Sequence, residues 1–327
     1  MPELGKEHSV IVLDLEWNQR YGRQQGFCTS LAQEIVEIGA VKLDASLRIA
    51  GQFQASVRPV VCPVMHRHVR RLTGISDADC RDGWPFREAG EALMAFCGED
   101  FILCTWGPDD YPVLRRNLAY WMLSQQWLPD PVDAQRMYSL LQCTGKIRQV
   151  SLEDAMEALE LPLELPSHRA LHDAYHTAQV VRRLHAVAAA LPHDDPRLHA
   201  LNGADAGRQP EGRNDLRVTP HRTIESLLAD EALFALCCPH CGAEGRALSG
   251  RLHTADKRML EQYAACERHG YFRMRFLPQR TVAGTLSLWM HAAPATDQQV
   301  RLYLNVRAGQ HGQAKRRNRR RGRENRA

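Results

Sequence analysis

Apolar residues fall into two rhythms along this chain. Residues 9–15 (SVIVLDL) form a short apolar run rich in β-branched side chains, which predicts a buried strand. Residues 34–43 (EIVEIGAVKL) and 51–58 (GQFQASVR) alternate, and the polar tip between them predicts a β-hairpin or meander. Residues 18–31 are polar, with two glycines, and read as a loop. The rhythm then lengthens: Phe86, Ala89, Leu93 and Phe96 predict a helix over 86–98. Another short buried strand is expected at 101–104. Pro112 suits the first turn of the following helix, where its missing N–H is not needed, and Val113, Leu114, Leu118 and Trp121 supply the apolar face. Ser151, with Asp154 three residues on, resembles a capping box. A long helix is expected from about 170 to 191, stopped by Pro192.

Strands first, then strands alternating with helices, predict an α/β layer with a mixed sheet over residues 1–191. Residues 192–222 are polar, aperiodic and rich in Gly, Pro, Asp and Arg, and read as a linker. A second domain is expected over 223–306 and a disordered basic tail over 307–327. The hydrophobic share of 44% and the charged share of 24% are those of an ordinary globular protein. No apolar stretch reaches the ~18–20 residues that cross a bilayer, and the polar start has no apolar leader region, so a cytoplasmic location is expected and membrane partners are not.

The chemistry lies in four acids and one histidine. Asp14 and Glu16 are two residues apart on a strand, so both side chains point to one face. Asp110 opens a helix after a strand; Asp109 beside it offers a second acid, one of the two to cap and the other to bind. His168 precedes a helix and Asp173 lies in its first turn, with His172 and His176 as neighbouring decoys. Carboxylates converging on one point repel unless divalent cations sit between them, and a nearby histidine can then take a proton from water. That combination points to two-metal phosphoryl chemistry.

These residues resemble the DEDDh 3′–5′ exonucleases of the ribonuclease H-like superfamily. Asp14 and Glu16 in VLDLEW match the family's D-x-E strand. Asp110 in TWGPDDYPVL matches its second motif, and His168 to Ala178 match H-x-A-x-x-D-A-x-x-T-A throughout. Leu72, Thr73, Gly74 and Ile75, after an Arg-Pro pair and before a helix, match a segment that lies near the terminal base in such enzymes; Trp17 is a further substrate-contact candidate. The Trp-Gly step before the second acid is similar to the branch that includes KapD-like regulators and Eri-type RNA exonucleases. The resemblance covers about residues 8–190. It implies an RNase H-like mixed sheet flanked by helices. It also implies Asp14, Glu16, Asp110 and Asp173 as ligands for two Mg²⁺ (or Mn²⁺) and His168 as general base. The implied activity releases 5′-mononucleotides from single-stranded nucleic acid, with RNA favoured over DNA. The alternative is a regulatory or nucleic-acid-binding protein acting through a protein partner.

Ten cysteines remain to be placed. Cys28, Cys62, Cys80, Cys97, Cys104 and Cys143 are scattered and read as small buried hydrophobes. The others cluster. Cys238 and Cys241 are followed 25 residues later by Cys266 and His269, as CxxC…CxxH, with a glycine just after each pair. Four N/S ligands in two pairs suit one structural Zn²⁺. The segment resembles a small zinc ribbon with YFRMRF as the returning strand; Cys237 offers a second frame and His240 a substitute ligand. The formal net charge of +4 is uneven, because the tail carries Lys315, Arg316, Arg317, Arg319, Arg320 and Arg321 among its cations. Beside a nuclease-like body, this predicts phosphate binding without sequence preference.

Overall fold

The structure, a computed structural model, describes residues 8–19, 31–142, 149–202, 213–254 and 259–306. Its first sheet has five strands. β1 (Ser9–Gln19) lies at the centre, with β2 (Gln33–Leu43) antiparallel to it and β3 (Ile49–Ser56) beyond. On the other side, β4 (Phe101–Thr105) and β5 (Val132–Asp133) run parallel, giving the order β3-β2-β1-β4-β5. This is the expected mixed sheet flanked by helices, with β1 running four residues further than its apolar run and kinked by a bulge between Glu16 and Trp17.

Alternation along β1 sorts its side chains between two cores. Ile11, Leu13 and Leu15 pack with Phe86, Ala89 and Leu93 of α3 (Phe86–Cys97) and with Val113, Leu114 and Leu118 of α4 (Asp110–Tyr120). Val10 and Val12 face the other way, toward α5 (Ala134–Gln142), α6 (Leu152–Ala158) and α7 (Ala170–Ala189). Between β3 and α3, two short helices, α1 (Arg67–Thr73) and α2 (Asp77–Arg81), pack Val69 and Cys80 with Met65 and Ile75 against Val36 of β2. Helix α7 lies close on β2. A Cβ on Gly39 would stand 2.1 Å from the backbone of Ala170 and Leu171, so only glycine permits this approach.

The second body is a six-stranded antiparallel sheet, β6 (Arg213–Val218), β11 (Leu286–Pro294), β10 (Gly270–Arg280), β9 (Leu260–Cys266) and β7 (Arg246–Ala247), with β8 (Leu252–His253) also on β9. Phe272, Met274 and Phe276 of β10 and Leu288 and Met290 of β11 pack on one face against Leu227, Phe234 and Leu236. The other face lies against α4: Val282 donates its N–H to the Tyr120 carbonyl at 2.8 Å, and Gln279 donates to that of Arg116 at 3.1 Å.

The stretch 192–222 is not a simple linker. It contains α8 (Pro196–Asn202), which buries Leu201 in the first core while Arg197 donates to the Leu141 carbonyl, and it contains β6. Both were hidden for physical reasons. α8 is too short to show a period. β6 is an edge strand, solvated along one side, and needs little apolar patterning. The tail (307–327) and the loop at 20–30 lie outside the described residues.

Candidate active site

The site forms where β1 ends and two helices begin. Asp14 and Glu16 project from β1 on the side of Val12, toward α7. Asp173 sits in the first turn of α7, and its carboxylate accepts from the main-chain N–H of His168 at 2.9 Å. One carboxylate oxygen from each of Asp14, Glu16 and Asp173 lies within 4.8 Å of the others. Asp110 is the first residue of α4, and its Oδ1 accepts from the Leu15 N–H at 3.0 Å, which ties that helix to the strand end. Neither Asp109 nor Asp110 caps the helix with its side chain. Asp110 is buried and turned to the strand, whereas Asp109 is exposed. Thr105 donates to the Gly107 carbonyl, and Gly107, at φ 86°, makes the turn that leads β4 into α4.

Proximity and burial act together on these acids. Burial, then Asp110, Asp173, Glu16 and Glu37, push the Asp14 carboxyl well above the usual carboxylate range. Burial, then Asp173, Glu37 and Asp110, lift Glu16 to about 8 against the opposing pull of Arg169. Asp110 reaches about 7 and Asp173 about 6, each chiefly through burial. Such a cluster cannot hold its full negative charge without cations, whether protons or metal ions. The two helix N-termini add a positive field at the same point. The all-oxygen, mutually repelling donor set fits hard divalent cations of the Mg²⁺ or Mn²⁺ kind.

His168 stands on a backbone with φ 64°, a left-handed position unusual for a residue with a side chain. Neither decoy histidine is open to the site. His172 Nδ1 is 2.8 Å from the Pro166 carbonyl oxygen, and His176 is fully buried, its pKa lowered by burial.

One pair escaped sequence reasoning. Glu37, opposite Glu16 in the β1–β2 register, is buried and salt-bridged to Arg169 at 2.6 Å. Burial would raise Glu37, but hydrogen bonds from Arg169, the Ala170 N–H and Gln54 hold it below its ordinary value. It therefore stays charged beside the acid cluster and fixes the start of α7. A charged residue inside the apolar pattern of β2 was the available signal. Its partner is 132 positions away in sequence, so no local motif joins them.

The segment 72–75 divides. Leu72 is exposed, while Thr73 and Ile75 are buried and build the turn, with Thr73 Oγ1 accepting from the Ile75 N–H. Gly74, at φ 72°, caps α1. Gly74 and Ile75 share a cavity of about 710 Å³ with Glu37 and Arg169. Trp17 is partly buried against the α3–α4 core.

The cysteine site lies at the edge of the second sheet. Cys238 Sγ is 3.7 Å and Cys266 Sγ 3.6 Å from His269 Nδ1, and Cys241 Sγ is 3.8 Å from Cys266 Sγ. Tetrahedral zinc with bonds of about 2.3 Å to sulfur requires sulfur–sulfur edges of about 3.8 Å, so the cluster has the right size. Main-chain N–H groups of Arg268 and His269, with the His269 ring, lower the Cys266 thiol to about 6. Gly242 and Gly270, at φ 71° and 74°, turn the chain behind each pair. Cys237 instead bridges to Glu244 through the backbone, and His240 lies with its ring 5.1 Å from that of His269.

Residues 12–181, just over half of the chain, match the sequence model of the RNase T exonuclease family. The chain belongs to that family, and its class is that of a 3′–5′ exonuclease, a phosphodiester hydrolase. No curated protein matches the sequence. Among solved structures, the nuclease domain of 3′hExo, a DEDDh family member bound to rAMP, is 19% identical. That alignment covers 55% of this chain and 92% of that one, at a TM-score of 0.48. S. pombe Pop2p in its Mg²⁺- and Mn²⁺-bound form is 17% identical over 54% of this chain and 82% of that one, at 0.42. Exonuclease I is 13% identical; the alignment takes in 83% of this chain but only 55% of exonuclease I, at 0.47. Among the described residues, no helix is long and apolar enough to cross a membrane.

Proposed function

We propose that this chain removes 5′-mononucleotides from the 3′ end of single-stranded nucleic acid. Asp14, Glu16, Asp110 and Asp173 hold two Mg²⁺ or Mn²⁺, and Cys238, Cys241, Cys266 and His269 hold one structural Zn²⁺. The observation that carries the reading is the convergence of Asp14, Glu16 and Asp173 oxygens within 4.8 Å, with Asp110 tied to the same strand end. When bound, the divalent cations supply Lewis-acid stabilisation of charge at the phosphate. The chain's own residues do the rest. Asp110 and Asp173 bring two helix N-termini to the strand end, so the field there favours the anionic phosphate. A ring nitrogen of His168 accepts the proton of the attacking water. Gly74 and Leu72 offer the turn and the exposed apolar side chain against which the terminal base is seated. Glu37 and Arg169 keep α7, and with it Asp173 and His168, in place.

The similarity of Trp106-Gly107 to the Eri-type enzymes makes RNA the favoured substrate. The basic tail adds affinity for phosphates and no chemistry. The test uses purified full-length protein, Mg²⁺ and 5′-labelled single strands of RNA and DNA of equal sequence. The expected result is stepwise shortening from the 3′ end, faster for RNA, abolished by chelation and by Asp14→Ala. Wild-type rates in correctly folded Asp14→Ala would overturn the metal assignment.

A further inference from the structure

Helix α4 has a second face that the acid cluster does not use. Asp109, Pro112, Val113 and Arg116 are spaced as i, i+3, i+4 and i+7, one stripe of the helix. This stripe looks across a cavity of about 660 Å³ onto the second sheet, where Arg273, Arg275, Trp289 and His291 stand on the face opposite to the Phe272–Met274–Phe276 core. The register fixes the group, because Arg275 pairs with His291 and Leu277 with Trp289 across β10 and β11.

The contents of this cavity are unusual for an interface between two halves of a protein. The Trp289 and His291 rings are parallel to within 3°, with centroids 5.7 Å apart. The Arg116 guanidinium lies over the Trp289 ring at 5.8 Å. Burial, then Arg273 and Arg275, lower His291 to about 4, so its ring is neutral and adds no charge at pH 7. Among the described residues, no carboxylate forms an ion pair with Arg116 or Arg273, and neither Arg273 Nε nor Trp289 Nε1 has a hydrogen-bond partner. Arg275 is only loosely paired, 3.7 Å from Glu261. Three guanidinium groups thus face Asp109, the single acid among the described residues that line the cavity. Arg116 donates to Gln33 Oε1 at 2.5 Å, a neutral partner that leaves its charge in place. Guanidinium groups so little neutralised, beside stacked rings, match the recognition of a single nucleic-acid strand, phosphates on the cations and bases on the rings. The cavity begins one residue from Asp110, so a strand lying in it can continue into the acid cluster.

We propose that the cleft between α4 and the second sheet is a strand-binding platform, on which Arg116, Arg273 and Arg275 hold phosphates and Trp289 with His291 stacks bases upstream of the scissile end. This rests on the exonuclease reading for its direction but not for the binding itself. The platform serves long strands only, because a trinucleotide fills the acid cluster before reaching it.

The test separates the two readings. Binding of 20-nucleotide and trinucleotide single strands is measured at several salt concentrations, without hydrolysis, in full-length Asp14→Ala protein with and without Arg273→Ala/Arg275→Ala. Loss of two phosphate contacts should weaken long-strand binding about tenfold and flatten its salt slope by about 1.4, at ~0.7 per contact on single strands. Trinucleotide hydrolysis by Arg273→Ala/Arg275→Ala in the otherwise wild-type enzyme should be unchanged. Trp289→Phe should retain long-strand binding and Trp289→Ala lose it, with melting temperatures checking the fold. Strands carrying 5-iodouracil upstream of the 3′ end should photo-crosslink to the peptide that contains Trp289. Equal salt slopes, equal losses on both substrate lengths, or crosslinks confined to the first domain would overturn the platform. Intact long-strand binding in a wild-type protein that hydrolyses nothing would instead overturn the exonuclease reading and leave the platform standing.

Discussion

The acid cluster and the cysteine cluster are both sets of four metal-type ligands, and they are built in opposite ways. The acids come from a strand and two helices spread over residues 14 to 173, and they are held in mutual repulsion by the whole first fold. The cysteine ligands come from two tight turns on neighbouring chain segments, and each turn is made by local hydrogen bonds such as Gly242 N–H to the Cys238 carbonyl. The first arrangement spends folding free energy to create a charged site. The second would gain stability on binding an ion. On the proposed reading, a site for chemistry and a site for structure are told apart by what the protein does without the metal.

Damage at the acid site should leave the fold and remove the chemistry. His168→Ala should lower single-turnover hydrolysis by roughly 10²–10⁴, the usual worth of a positioned base. His172→Ala should matter far less, because that ring is turned to the Pro166 carbonyl. Equal losses would reassign the base. Glu37→Gln touches no proposed ligand but loosens Arg169 and the Ala170 N–H. A loss of roughly 10–100-fold in rate or in Mg²⁺ affinity is expected, as for residues that orient ligands. A rate equal to wild type would show that α7 is set by packing alone.

Damage at the cysteine site should do the reverse. Elemental analysis should find one zinc per chain in the wild-type protein, and Cys266→Ser should lose it and lower the melting temperature of the second sheet. Trinucleotide hydrolysis should stay within about threefold, because that sheet supplies none of the ligands proposed for the acid cluster. A trinucleotide rate that collapses with the zinc would mean that the two sites are coupled through α4.

The smallest effect separates the sites by pH. Asp14, Glu16, Asp110 and Asp173 have raised pKa values in the folded protein, so the folded state binds protons more tightly than the unfolded chain. Their protonation favours folding, and that benefit is lost as pH rises through about 6 to 8. Metal-free protein should therefore melt several degrees lower at pH 8 than at pH 5.5, and Mg²⁺ should raise the melting temperature most at pH 8. A metal-free melting temperature that rises over this window would contradict the burial of the acids.

The same contrast governs how far the sequence could be read. The apolar run of β1, the alternation of β2 and the heavy helical stripe of α7 are local patterns, and they are where the sequence placed them. The CxxC and CxxH knuckles were legible for the same reason, down to the glycines behind them. Pairings between distant residues were not. Glu37 looked like a strand acid, because nothing near it names Arg169. β6 looked like linker, because an edge strand needs only Leu216 to face inward. The platform of Arg273, Arg275, Trp289 and His291 shows in sequence only as alternation along two strands; its partner face on α4 appears when the bodies meet.

Gly39 has a consequence for what substitutions this chain can accept. The backbone of α7 rests where a side chain at that position would begin. Every other amino acid carries at least that one carbon, so any missense change there must lift the helix from the sheet. Asp173 and His168 travel with the helix, away from Asp14. A position with no chemistry of its own is therefore as closed to mutation as the aspartate it faces across the strand register, and a screen of random variants for lost hydrolysis should recover it alongside the acids.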